Sequence, residues 1–599
     1  MRIICFLNPK LISSHKIPVF NKNRYIISYD EFKPREAITR DSNLKQIIIF
    51  PITNQERATC EREYIANVSK LSEIFDSLEW WANPISEKNE HSSIQYKDLC
   101  LFFSLIKTID KHRDERCDIL VYGDGSIYNI LRKHYSNKGI QVVFIGSKLF
   151  RNIQSFIYQI LKIVLLFFKI ISRKLFLRKI ASKLRKQLSN KSCYYVIRTW
   201  LYNQPDANFR NDAFFGRLPE YAANRGNKVL LLGGIIDNYR KILQKILKSD
   251  GKTIVIPEEY FLKYSDIFKL FVYFKFKIRK LDSKIIFKGI DVTDYYSQEI
   301  FKGFWQDSYI YNIIRYMIAK RFGETVNFNV FLQTFENYAW EKVTIKGIKA
   351  ARSNCRVLGF QHAFVSRNSF KYFPGQQELD RIPLPDKIIT MGERTKEILQ
   401  NYGAYRKEQI VVGCALRQQY LDDLSFIERR RCNKILVPLT MVTQESIRII
   451  KFLCDSNISK TNKNIVIRPH PARDFKSVKE KIPFEIPSNF IINNCKTMKE
   501  ELSDAGMVLY TWSTISAEAL RLGLPVIYLD ILRPLYVDPL FECDALKRKV
   551  SEADELVPAV DSLYGISNDD FEIERKMASE YSKSYFYPVT ESNLAHFFS

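Results

Sequence analysis

A chain of 599 residues with 46% hydrophobic and 26% charged side chains is too long for a single small module and too apolar for a disordered tail. Two or three globular domains are expected. The formal charge of +26 is unevenly placed: from Leu384 to Ser599, 29 Lys and Arg meet 30 Asp and Glu, so the whole excess lies before Leu384.

The opening segment, MRIICFLNPKLISSHK, holds a short apolar run without a small-residue cleavage site and is not expected to act as a secretory signal. Eleven cysteines without a CxxC pair or a close His partner point away from a disulfide scaffold or a zinc ribbon. The chain is therefore expected on the reducing, cytoplasmic side. Apolar runs at Gln46–Phe50, Asp118–Tyr122 and Gln141–Ile145, with a helical stretch at Ser126–Tyr135, predict an N-terminal α/β module over residues 1–148.

Residues 149–190 differ from the rest. Between Asp124 and Asp206 there is no acidic residue, while sixteen Lys and Arg occur. Phe156–Ile171 is almost wholly apolar, and Arg173–Lys186 adds seven cations. At 100° per residue, Arg151, Lys162, Lys169, Arg173 and Lys183 fall within an arc of roughly 80°, which leaves a broad apolar face. Lys162 and Lys169 interrupt an apolar stretch that is shorter than the ~20 residues of a membrane span. A basic amphipathic helix lying on an anionic membrane surface is expected, with burial between domains as the alternative. A nucleic-acid partner is not expected, because these cations crowd around an apolar helix instead of lining a groove with aromatic platforms.

Two further α/β blocks follow. The second, residues 191–385, takes strands at Tyr194–Thr199, Lys228–Leu232, Thr253–Ile256, Lys284–Phe287, Val330–Gln333 and Arg356–Phe360. The third, residues 386–599, takes Lys387–Thr390, Gln409–Val412, Lys434–Val437, Asn464–Ile467, Phe490–Ile492, Met507–Tyr510 and Pro525–Tyr528. Short apolar strands alternating with helices predict parallel sheets covered on both faces, a pair of Rossmann-type domains joined near Pro383–Pro385.

Two motifs in the third block carry chemistry. Arg468-Pro469-His470-Pro471 and Thr511-Trp512-Ser513-Thr514-Ile515-Ser516-Ala517-Glu518 each follow a predicted strand. Ser513 is expected to cap a helix whose free N–H groups form an anion site. Glu518, one turn on, can accept hydrogen bonds from a sugar hydroxyl, and Arg468 and His470 can neutralise phosphate. A phosphate-and-ribose pocket follows. No GxxxxGK[ST] loop is present.

These segments, with Gly523-Leu524-Pro525 after them, resemble the donor half of GT-B glycosyltransferases of the bacterial HP-motif group, which includes polysialyl-, Kdo- and polyol-phosphate transferases. Arg198-Thr199-Trp200, Asp212 to Pro219, Glu336-Asn337 and Gly359-Phe360-Gln361-His362 resemble a surface-carbohydrate biosynthesis family linked to O-antigen and capsule. The resemblance spans about Tyr194 to Glu591. It implies a GT-B-like pair of Rossmann-type domains, with His470, Pro471, Ser513, Thr514 and Ser516 on the donor phosphates and Glu518 near the ribose. Gly413, Arg417 and Thr440 resemble donor-side loops of the same group. No metal and no cofactor are expected, since no DxD follows a strand.

An inverting transfer needs a base for the acceptor hydroxyl. Glu336, His362 and Asp212, all near strand ends of the second block, are the candidates; Glu336 is slightly favoured, with Asp212 positioning the acceptor. The expected function is metal-independent transfer of a sugar from a nucleotide donor, with a CMP-ulosonic acid favoured, to a lipid-linked or growing surface glycan at the inner face of the cytoplasmic membrane. The alternatives are polyol-phosphate transfer from a CDP-alcohol, and a non-catalytic membrane scaffold with the same fold.

Overall fold

The computed structural model describes residues 2–6, 24–28, 44–47, 52–89, 95–112, 118–122, 125–145, 148–188, 192–202, 208–273, 281–422, 424, 433–470, 473–493, 496–532 and 535–598. The chain divides into two compact units. One comprises Met1–Leu175, Leu262–Met317 and Gly375–Ile382, and the other Phe176–Phe261, Ile318–Pro374 and Pro383–Ser599.

The first unit is built on a five-stranded parallel sheet of β1 (Arg2–Phe6), β2 (Arg24–Ser28), β3 (Leu44–Ile47), β4 (Asp118–Tyr122) and β5 (Gln141–Ile145), in the order β3-β2-β1-β4-β5. Helices at Asn54–Phe75, Leu78–Ala82 and Gln95–His112 bury Tyr64, Trp80, Trp81 and Tyr96. One buried ion pair ties distant segments: Lys88 and Glu378, both fully buried, bind each other, and Ser72 Oγ donates to the second Glu378 oxygen at 2.9 Å. Removing either partner would strand a charge, a loss of about 3–5 kcal/mol. The segment Lys284–Phe287, expected as a strand of the second block, instead forms a two-residue hairpin in this unit, β9 (Ile286–Phe287) against β10 (Ile290–Asp291). Lys288 and Gly289 take the positive φ values of its turn.

The second unit holds two parallel sheets. β6 (Tyr194–Leu201), β7 (Lys228–Ile235), β8 (Ile254–Pro257), β11 (Phe328–Thr334), β12 (Arg356–Phe360), β13 (Lys387–Thr390) and β14 (Ile410–Val412) form a seven-stranded sheet ordered β14-β13-β12-β11-β6-β7-β8. β15 (Lys434–Pro438), β16 (Asn464–Arg468), β17 (Phe490–Ile492), β18 (Met507–Tyr510), β19 (Val526–Leu529) and β20 (Lys547–Val550) form a six-stranded sheet ordered β17-β16-β15-β18-β19-β20. Strand order reverses between β6 and β11 in one and between β15 and β18 in the other. Crevices at such reversals, beyond the carboxyl ends of the strands, are where open α/β sheets bind ligands.

The boundary expected at residues 385 and 386 does not separate the sheets. β13 pairs with β12, and β14 with β13, so both strands belong to the seven-stranded sheet. The chain also returns there at its end: Tyr195 Oη in β6 donates to the Phe597 carbonyl at 2.7 Å, from the closing helix Glu591–Phe598. Gly413 follows β14, and a Cβ there would stand 2.4 Å from Ile389 and 3.0 Å from Phe597. Its missing side chain serves this packing.

The basic segment forms one helix, Lys148–Arg178, followed by a short one at Ala181–Gln187. Ile163, Ile170, Arg173 and Leu177 are buried along one arc of the long helix. No helix among the described residues is long and apolar enough to cross a membrane.

Candidate active site

β11 leaves the seven-stranded sheet into Phe335-Glu336-Asn337-Tyr338 and then the helix Ala339–Ala351. Glu341 holds this turn. Its carboxylate accepts the N–H of Glu336 at 2.9 Å and of Tyr338 at 3.1 Å, and the Thr334 hydroxyl at 2.9 Å. Asn337 sits at φ +60° with its side-chain amide donating to the Lys371 carbonyl. The turn thus presents Glu336 at the strand-order reversal.

Glu336 meets two partners. Lys371 Nζ donates to its Oε2 at 2.9 Å and to Tyr338 Oη at 2.8 Å, while His362 Nε2 lies 3.6 Å from Oε1. Burial would raise the Glu336 carboxyl, but the charges of Lys371 and His362 and the hydrogen bonds of Lys371 and Tyr338 hold it below the ordinary value. His362 follows β12 and is 3% exposed, with Phe214 edge-on at 5.1 Å. Burial lowers its pKa to about 4, Glu336 opposing and Arg417 and Lys371 assisting. At neutral pH the pair is a carboxylate beside a neutral imidazole.

Asp212 is engaged locally. It accepts Thr199 Oγ1 of β6 at 2.7 Å and, within the 212–216 turn closed by Gly216 at φ +53°, the N–H groups of Phe214 and Phe215 at 2.7 and 3.0 Å. With both oxygens committed, Asp212 shapes the loop that carries Phe214 to His362. The same loop meets the segment after β14: a Cβ on Gly216 would lie 2.2 Å from the Leu416 carbonyl oxygen.

On the six-stranded sheet, the loops after β15 and β18 hold Thr440 and Ser513–Thr514. Thr440 is buried and closes its own turn, accepting the Val442 N–H at 3.2 Å. Ser513 Oγ accepts the Ile515 N–H at 3.3 Å, yet the N-cap of the seven-residue helix Ile515–Arg521 is Thr514, in helical φ/ψ and without a side-chain cap bond. The expected Ser513 cap is therefore displaced by one residue. Ser516 is fully buried and donates to the Ser513 carbonyl at 2.8 Å, which directs it inward and away from a donor. Arg468 Nη1 donates to the Lys496 carbonyl at 2.7 Å, on the β17 side of the sheet. Burial and then Arg473 lower the pKa of half-buried His470, so it can offer a hydrogen bond to phosphate but not a full charge. Pro471 lies outside the described residues.

Glu518 is 5% exposed and bridges to the other sheet's connection: Tyr420 Oη donates to it at 2.6 Å and Gln418 Nε2 at 3.4 Å. Burial raises its pKa, against these two hydrogen bonds and the charge of Arg417. Arg417, in the same segment, stands 6.0 Å from the Phe214 ring and is exposed. Its charge reaches His362 and Asp212 on one side and Glu518 and Tyr420 on the other. The segment from Gly413 to Tyr420 thus joins the ends of both sheets, with a cation at the junction.

Lys371, Gln418 and Tyr420 escape sequence reasoning. Lys371 lies in a one-turn 3-10 helix, Phe370–Tyr372, with no motif around it. Gln418 and Tyr420 adjoin Arg417, which was the available signal. No cluster of three His, Cys, Asp or Glu able to hold a metal occurs among the described residues.

No family model and no curated protein matches the chain. Among solved structures it is similar to a glycosyltransferase from Rickettsia africae, at 14% identity, 67% of this chain, 98% of that one and a TM-score of 0.38. It is also similar to the Anabaena protein HepE in complex with UDP-glucose, at 9% identity, 68% and 98% coverage and a TM-score of 0.38. UDP-GlcNAc 2-epimerase from Neisseria meningitidis, bound to UDP-GlcNAc, gives 13% identity, 65% and 97% coverage and a TM-score of 0.37.

Proposed function

We propose that the protein is a glycosyltransferase that moves a sugar from a nucleotide donor, held at the carboxyl end of the six-stranded sheet, to an acceptor hydroxyl beside His362. The observation that carries this reading is the Lys371–Glu336–His362 cluster at the strand-order reversal of one sheet, with Arg417 between it and Glu518 on the other. His362 takes the hydroxyl proton, and Glu336, kept ionised by Lys371, stabilises the imidazolium that forms. This places the base at His362 instead of the slightly favoured Glu336, because Lys371 already holds the Glu336 carboxylate. Arg417 and His470 face the departing nucleotide, Arg417 as a charge and His470 as a hydrogen-bond donor.

The resemblance of the His470 and Ser513 segments supports a CMP-activated ulosonic acid as donor and a lipid-linked or growing surface glycan of the O-antigen or capsule type as acceptor. The charge excess around the long helix supports work at the inner face of the cytoplasmic membrane. A panel of CMP-, CDP-, UDP-, GDP- and dTDP-sugars with lipid-linked acceptors tests the reading. Turnover that vanishes in His362→Ala, while nucleotide-induced thermal stabilisation persists, is the expected result. Activity retained in that variant would remove His362 from the chemistry. Phosphate retained on the product with release of CMP would reassign the enzyme to polyol-phosphate transfer.

A further inference from the structure

The long helix Lys148–Arg178 buries one arc and exposes another. Leu161, Leu165, Phe168 and Leu175, spaced four, three and seven residues apart along one face, are each more than half exposed, up to 67% at Phe168. A second helix of the same unit, Tyr264–Tyr273, behaves likewise: Asp266 and Leu270 are buried, while Tyr264 and Phe268, one turn apart, are 41% and 72% exposed. The two helices meet where Lys174 Nζ stands 5.9 Å from the centre of the Tyr264 ring. Lys162 similarly stands 4.8 Å over Tyr158 on the long helix. Both apolar rows are thus flanked by cations, and exposed Lys269 adjoins Phe268.

We infer that these two helices form one docking face for an anionic lipid bilayer, with Phe268 as an insertion point separate from the Leu161–Leu175 row. This rests on the proposed membrane-side acceptor and adds an element that the basic segment alone does not contain. Lipid is the occupant favoured by charge. The long helix contains no carboxylate, whereas its lysines and arginines suit phosphate headgroups at the depth where aromatic rings settle. Neither helix spans, so both lie along the surface.

Sedimentation of the full chain with vesicles of phosphatidylcholine, with and without about 30% phosphatidylglycerol, tests this, because surface cations respond to the anionic lipid. The wild type should bind only the anionic vesicles. Phe268→Glu and Leu165→Glu should each weaken that binding about tenfold or more, as expected when a large apolar side chain no longer leaves water, with thermal unfolding unchanged. Wild-type affinity in Phe268→Glu, alongside loss in Leu165→Glu, overturns the second insertion point and leaves the membrane reading standing. No binding by the wild type overturns the lipid face altogether. So does a dimer of the free protein that Phe268→Glu dissociates, which would assign the face to a second copy.

Discussion

Glu336 Oε1 lies 3.6 Å from His362 Nε2 while Lys371 holds the opposite carboxylate oxygen at 2.9 Å. This arrangement sets the protonation of both groups. A base that acts when neutral gives an acid limb in kcat/KM at its own pKa. With His362 near 4, activity should stay flat from neutral pH down to about pH 5 and fall below it. Because Glu336 raises the His362 pKa and Lys371 lowers it, Glu336→Gln should move the limb to lower pH and Lys371→Met to higher pH. Loss of all activity in Glu336→Gln, with no limb left to follow, would return the base to Glu336.

Asp212 should act by position. Asp212→Asn keeps an acceptor for the 214–215 N–H groups and can donate to the Thr199 hydroxyl, so its kcat should remain within about tenfold of wild type. Asp212→Ala leaves buried donors unpaired, at about 1–3 kcal/mol, and should lower thermal stability together with activity. Abolished turnover in Asp212→Asn with unchanged unfolding would make Asp212 a reacting group.

Gly216→Ala tests the close approach of the 212–216 loop to the 413–420 segment. The position has φ +53°, and a Cβ would stand 2.2 Å from a backbone oxygen that a rotamer change cannot move. A loss of about 2 kcal/mol or more is expected, from backbone strain plus overlap, measured by denaturant unfolding. An unchanged midpoint would show that the two loops part easily.

Arg417→Gln should weaken both halves of the site. Its charge lowers the pKa of His362 and of Glu518, so the acid limb should move up and kcat/KM should fall about 10- to 100-fold, the scale of removing one stabilising group from developing phosphate charge. Glu518→Gln, which keeps the contact with Tyr420, should affect nucleotide KM more than kcat. The reverse pattern would place Glu518 at the reacting sugar.

Local pattern determined a good deal of this protein. Runs such as Tyr194–Leu201, Arg356–Phe360 and Met507–Tyr510 are apolar enough to be buried on both faces, so their sequence alone announces parallel strands. Strands without that mark were missed: β20, Lys-Arg-Lys-Val, is a charged edge strand with no second neighbour to cover it. Glu336 and His362 were legible as polar residues just past strand ends and Asp212 as a polar residue in the loop after β6, and the uneven charge was legible by counting.

What only the tertiary structure decided were pairings between residues far apart in the chain. Lys-Ile-Ile-Thr at β13 fits either sheet, and only its hydrogen bonds to β12 assign it to the seven-stranded one. Ser516 reads as a donor contact until the turn of its helix points it into the core. Lys371 has no signature, yet a contact across 35 residues of chain makes it the group that fixes the charge of Glu336. Periodicity reports which side of an element is dry. Which carboxylate meets which cation, and hence which imidazole stays neutral, depends on distances that local pattern does not encode.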